Sequence, residues 1–164
     1  MTRWLLGVGL WGCASTGTPQ VIAAAERDEL APEFSLLDAD GQEHRLEDQR
    51  GTPVVIDFSA AWCGRCQDAA AEIEAVHQQR PDVVAWTVLF DDPSGDDPDA
   101  SDLAGWVEAF QLTHTVLGDV DREVFRAFGG GHQPIFHIVD AQGRMAWTDE
   151  ASDAEDILAA LDAL

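Results

Sequence analysis

The stretch from Pro53 to Cys66 limits this chain more than any other. Pro53-Val54-Val55-Ile56-Asp57-Phe58-Ser59 is an apolar run interrupted by Asp57, and Ala60-Ala61-Trp62 leads from it into Cys63-Gly64-Arg65-Cys66. The β-branched residues Val54, Val55 and Ile56 suit a strand buried on both faces. After the cysteines, Ala69, Ala70, Ile73, Val76 and His77 recur at helical spacing, and Pro81 closes the pattern. The order is strand, turn, helix, with two thiols at the helix start. Unpaired N–H groups and the positive end of the helix dipole favour a thiolate on Cys63 there. Cys66 lies one turn further in, where it is shielded, and the spacing brings both sulfurs to one side of a turn.

The cysteine count supports a redox reading of the pair. There are three cysteines, Cys13, Cys63 and Cys66, and an odd number does not make a disulfide framework. A closed zinc site takes four soft ligands, and the core region offers one pair. The net charge of −22, with nine basic residues that are all arginine, repels phosphate backbones and excludes nucleic acid as a partner. The acidity fits solvation by water and salt better than a docking surface for basic partners, because the charges are spread along the chain. A length of 164 residues with 46% apolar content suits one folded domain.

The N-terminus reads as an address. Arg3 precedes the apolar run Trp4 to Trp11, which is far too short to span a bilayer. It is similar to a short export signal, and Leu10-Trp11-Gly12-Cys13 resembles the lipobox of bacterial lipoproteins. That resemblance implies lipidation of Cys13, and a membrane anchor made of lipid rather than a spanning helix. Residues 1–13 are thus an export segment, 14–31 a tether without a sustained apolar face, and 32–164 the folded domain.

Within the domain, Phe34 to Leu46 reads as a β-hairpin turning at Asp38-Ala39-Asp40-Gly41-Gln42. Val83 to Phe90 is a second buried strand. Asp91 to Asp102 is a solvated polar loop, and Asp102 is the expected N-cap of a helix through Gln111. Thr115-Val116-Leu117 is a short strand, and Asp121 to Phe128 a short helix stopped by Gly129-Gly130-Gly131. Pro134 to Asp140 and Arg144 to Thr148 form a closing hairpin, and Asp153 to Leu164 a final amphipathic helix. Strand–helix alternation in the first half implies parallel pairing in a layered α/β sheet.

Val55 to Cys66 resembles the active-site segment of thioredoxins, and Gln133-Pro134 before an apolar strand resembles their cis-proline loop. The hairpin before the Cys pair, and the additional helix and strand before Pro134, are similar to the membrane-tethered TlpA/ResA-like redoxins of bacteria. The resemblance covers about residues 31–164. It implies a thioredoxin-like fold: a central mixed sheet flanked by helices, with an N-terminal β-hairpin and a βα insertion before the cis-proline.

By that resemblance Cys63 and Cys66 are the exchanging thiols, and Asp57 is the buried acid that takes a proton from Cys66. Burial in an apolar strand predicts a raised pKa for that carboxyl. Trp62 packs beside the site or serves as plain core. Gly64-Arg65 replaces the Gly-Pro of thioredoxins, with Arg65 either beside Cys63 as a fixed cation or pointing to solvent. Gln133 and Pro134 set the backbone against a client chain. The implied protein is a monomeric thiol-disulfide oxidoreductase at the periplasmic face of a membrane. It reduces client proteins, draws on a membrane electron donor, and needs no metal or cofactor beyond its own cysteines. A copper-binding redoxin using the Cys pair with His132 or His137 is the alternative, and a docking module with an idle thiol pair is a third reading.

Overall fold

The computed structural model describes residues 29–150 and 152–164. The export segment, Cys13 and most of the tether lie outside the described residues. Eleven elements follow in order: β1 (Ser35–Asp38), β2 (Glu43–Arg45), β3 (Val54–Ser59), α1 (Gly64–Gln79), β4 (Val84–Leu89), α2 (Ala100–Phe110), β5 (Thr115–Gly118), α3 (Glu123–Ala127), β6 (Ile135–Val139), β7 (Met145–Glu150) and α4 (Ala154–Asp162).

The strands make one mixed sheet in the order β2-β1-β5-β4-β3-β6-β7. β3, β4 and β5 run parallel, while β1, β2, β6 and β7 are joined antiparallel. This is the mixed sheet the sequence predicts. Every residue of β3 is buried, as its unbroken β-branched and aromatic content requires of a central strand covered on both faces.

Alternation along β3 divides the core in two. Val55, with Ala85, Phe136 and Ile138, packs against Ile73 and Val76 of α1 and Ile157 and Leu161 of α4. Ile56 and Phe58, with Trp86 and Val88, pack on the opposite side with Leu103, Trp106, Phe125 and Phe128. Each fully buried side chain of this size contributes about 2 kcal/mol of hydrophobic stabilisation. The same alternation puts Asp57 on the face that carries Val55, and the register sets it opposite Thr87 of β4 and Phe136 of β6.

Two local expectations change. Helix α2 starts earlier than predicted, and Asp99 is its N-cap, accepting the N–H groups of Ser101 (2.7 Å) and Asp102 (3.1 Å). Asp102 instead returns a bond to the Asp99 N–H at 2.9 Å, which completes a capping box. An acidic residue three positions inside the cap has the same composition as a cap, and only the backbone distinguishes them. The acidic loop is also less solvated than its composition implies. Asp91 is buried, Asp92 closes a turn onto Ser94 and Asp96, and Asp97 accepts the Asp121 N–H at 2.8 Å.

Glu29 to Ala31 is tied to the β6–β7 turn, through Met145 N–H to Glu29 O (2.8 Å) and Ala31 N–H to Gly143 O (2.9 Å). Residues ahead of Pro32 thus already make contacts with the folded domain. Among the described residues no helix is long and apolar enough to cross a membrane.

Candidate active site

β3 delivers the chain to the edge of the core at Ser59. The Cys63 N–H then bonds Ala60 O at 3.0 Å, forming a tight turn, and α1 begins. Cys63 is the N-cap of α1. Its sulfur accepts the Cys66 backbone N–H at 3.3 Å, in the place usually taken by a serine or aspartate oxygen. The first turn of α1 holds no acidic residue, although acidic residues abound elsewhere in the chain. Nothing of like charge in that turn opposes a thiolate on Cys63.

The two thiols differ in access. Cys63 is 8% exposed and Cys66 is fully covered. Burial pushes the Cys66 thiol well above its ordinary range, and the neighbouring Cys63 sulfur and the Asp57 charge push the same way. A slightly exposed outer sulfur at the helix start therefore lies beside a fully covered inner one.

Asp57 is the acid whose charge acts on Cys66. It is fully buried, and its carboxyl is pushed up to about 7 by burial, against the hydrogen bonds from Ser59 and Thr87. Ser59 Oγ lies 2.9 Å from both carboxyl oxygens, and Thr87 Oγ1 lies 3.2 Å from Oδ2. A carboxyl poised near neutrality can both take and release a proton under ordinary conditions.

The facing wall is the loop before β6, where the Gln133–Pro134 peptide is cis. The Gln133 carbonyl oxygen lies 4.0 Å from Cys63 Sγ and accepts a hydrogen bond from Arg65 Nη2 at 3.0 Å. Arg65 thus neither rests on the Cys63 sulfur nor points idly to solvent. It bridges the start of α1 to the facing loop. Beyond it, Asp68, Ala69, Glu72, Pro134 and Ser152 line a shallow depression.

Trp62 is 48% exposed, so it is not plain core. Its indole N–H donates to Asp91 Oδ2 at 2.7 Å, and the same carboxylate is held by Arg122 at 2.7 and 2.9 Å. A large apolar face is therefore fixed beside Cys63, with its polar edge anchored in the fold.

A model of the AhpC/TSA family matches residues 28–148, which include both thiols, Asp57 and the facing loop. The chain belongs to the AhpC/TSA family. Among relatives, it is 29% identical over 117 residues to the thiol-disulfide oxidoreductase ResA of Geobacillus thermodenitrificans, a match covering 70% of this chain and 64% of that protein. This AhpC/TSA-family chain therefore spans less than two thirds of that relative's length. It is 36% identical over 117 residues to a provisionally named peroxiredoxin of Mycobacterium tuberculosis, covering 70% and 71%. The solved structure of DsbF from Mycobacterium tuberculosis, in mixed oxidised and reduced forms, superposes with a TM-score of 0.69 at 25% identity, covering 79% of this chain and 93% of that one. The fold of this family member is thioredoxin-like.

The histidines of the copper alternative are not gathered at the thiols. His132 is 83% exposed and lies 3.7 Å from Glu150. His137 is wedged against Phe58 and Phe128, with Nδ1 on Thr148 Oγ1 at 2.8 Å. Among the described residues no group of three or more His, Cys, Asp or Glu is arranged to hold a metal ion. Sequence reasoning missed Asp91, Arg122 and Thr87. Asp91 was hidden in an acidic loop, and nothing local marks a threonine as the partner of an acid thirty residues away.

Proposed function

We propose that this protein exchanges disulfides with client proteins through Cys63 and Cys66. The observation that carries the reading is the Cys63 sulfur at the N-cap of α1, with Cys66 buried beside it within reach of Asp57's charge. The Cys63 thiolate attacks one sulfur of a client disulfide, and the other leaves as a thiolate. Asp57 takes the Cys66 proton. The Cys66 sulfur then bonds to Cys63 Sγ, the Cys63–client bond breaks, and the second client sulfur leaves with that electron pair. The client is reduced by two electrons and the Cys pair is oxidised to a disulfide. Gln133 and Pro134 present backbone to the client, Gly64 keeps the approach to Cys63 open, Arg65 braces the facing loop, and Trp62 supplies an apolar rest for the client chain.

In this reading the protein works outside the cytoplasm as a reductase. A membrane electron donor recharges it, it acts as a monomer, and it uses no cofactor beyond the Cys pair. The Leu10-Trp11-Gly12-Cys13 segment supports a lipid anchor. Cys13→Ser is expected to move the protein from the membrane fraction to the soluble fraction, and a variant that stays with membranes as the parent does removes the anchor from this reading.

Turnover tests the reading itself. The protein is expected to accelerate insulin reduction by dithiothreitol in the presence of a chelator, and Cys63→Ser to return the rate to the uncatalysed background. Insulin reduction that ignores Cys63→Ser contradicts it. So does an inert response to insulin together with rapid consumption of hydrogen peroxide, since one relative carries a peroxiredoxin name.

A further inference from the structure

Behind Asp57 a line of buried polar groups runs away from the thiols. Thr87 Oγ1 is 3.2 Å from Asp57 Oδ2 and 3.0 Å from His114 Nε2, and His114 Nδ1 is 2.8 Å from Glu74 Oε2. Asp57 and Thr87 are fully buried, and the His114 ring is fully covered. The Glu74 side chain at the far end is 10% exposed, so the line runs from the sealed core to solvent.

The proton positions follow from the partners. Burial alone would raise Glu74. Hydrogen bonds from Thr113 Oγ1 (2.5 Å), Thr113 N–H (2.8 Å), His114 and Gln78 Nε2 (2.8 Å) overcome it and bring Glu74 down to about 2. Glu74 is thus a fixed carboxylate, and the His114 nitrogen facing it, Nδ1, carries a hydrogen. Burial lowers His114 against the pull of Glu74, which leaves Nε2 as a bare acceptor at rest. The one hydroxyl hydrogen of Thr87 then points to Nε2, and the Thr87 oxygen accepts from protonated Asp57. When Asp57 is ionised, Thr87 turns its hydrogen to Asp57, and Nε2 completes the line by carrying a proton itself. The same heavy atoms therefore serve two proton arrangements. Each has one net negative charge, so the shift adds no net charge to the core.

We propose that Thr87, His114 and Glu74 are a proton relay that carries the proton Asp57 takes from Cys66 out of the core. The inference rests on the disulfide-exchange reading above. As Cys66 attacks Cys63 Sγ, the Cys66 proton goes to Asp57 Oδ1 in the same shift that moves the proton already on Oδ2. Asp57 passes a proton from Oδ2 to Thr87 Oγ1, while Thr87 passes its own hydrogen to His114 Nε2. The imidazolium is held by Glu74 until it loses a proton to solvent. The titratable groups facing the relay are Cys66 and His77 of α1, in addition to Asp57 and Glu74. The His77 ring lies 6.0 Å from that of His114, and its Nδ1 is buried without a hydrogen-bond partner. The relay residues touch no reacting sulfur, so they act through Asp57.

The aromatic disulfide DTNB separates the steps. Its first thiolate is released when Cys63 attacks and its second when Cys66 resolves the mixed disulfide, and excess DTNB completes the first phase before the second. Thr87→Val keeps the shape and removes the hydroxyl. It is expected to slow the second phase about tenfold or more at neutral pH and to leave the first within about twofold. Thr87→Ser is expected to restore the second phase, and His114→Gln, which cannot hold the extra proton, to slow it as Thr87→Val does. In the unaltered protein the second phase is expected to slow in heavy water with a bowed dependence on deuterium fraction, the mark of more than one proton in flight. That measurement stands even where a variant fails to fold. A second phase indifferent to Thr87→Val, or a linear or absent isotope dependence, overturns the relay alone. A parent protein that releases one equivalent and no second overturns the exchange reading and the relay with it.

Discussion

Asp57→Asn is expected to make the protein more stable than its parent as the pH rises, and to cripple the Cys66 step at the same time. The carboxyl is pushed up to about 7 by burial, whereas an unfolded aspartate titrates near about 4. Between those values the native state holds a proton that the unfolded state has lost. The stability this gives is fully present below the unfolded value and is lost as pH rises through the folded one. A shift of about three units is worth about 4 kcal/mol. The amide that replaces the carboxyl does not titrate, so the stability advantage of the variant over the parent should grow by about 4 kcal/mol between about pH 4 and about pH 8.

His137 works in the opposite direction. Burial pushes it down to about 4, so an unfolded imidazole gains a proton in weak acid that the native one refuses. Both proteins lose stability in acid for that reason, and the difference between them cancels it. Urea midpoints of the two proteins at each end of the range measure the effect, and a difference that stays flat with pH contradicts the buried acid. The second DTNB phase should meanwhile fall about 100-fold, the scale of a removed general base. Stability gained and exchange lost in one substitution identifies a group kept for chemistry at the expense of the fold.

What was legible in the sequence was local. The run Val54 to Ser59, the Cys pair and the helix after it lie within one supersecondary unit, where period and composition carry the signal. Asp57 stood out for the same reason, as an acid inside a β-branched run. Gln133-Pro134 was recognisable from its position before an apolar strand. The rest of the site is assembled across the sheet. Trp62 meets Asp91, which also holds Arg122, and Asp57 meets Thr87, which leads on to His114 and Glu74, over long sequence separations. Pairing of β3 with β4 and of β4 with β5, and packing of α1 on that face, make those contacts. No periodicity in the chain encodes them. Glu74 in particular reads as one more charge on a helix in an acidic protein. Arg65 was visible as a departure from Gly-Pro, but its partner, a backbone carbonyl of the facing loop, has no sequence signature.

Cys66→Ser is expected to convert a transient intermediate into a stable one. Cys63 keeps its N-cap bond from the backbone N–H of position 66, which the substitution leaves in place, so attack on a disulfide continues. A serine hydroxyl cannot resolve the resulting mixed disulfide, because no disulfide can form to oxygen. The decisive measurement is the intact mass of Cys66→Ser after mixing with oxidised insulin. A one-to-one adduct carried on Cys63, stable until dithiothreitol is added and absent from the parent protein, is the result predicted here. No adduct, or one that persists when Cys63 is also replaced by serine, would contradict disulfide exchange through this pair.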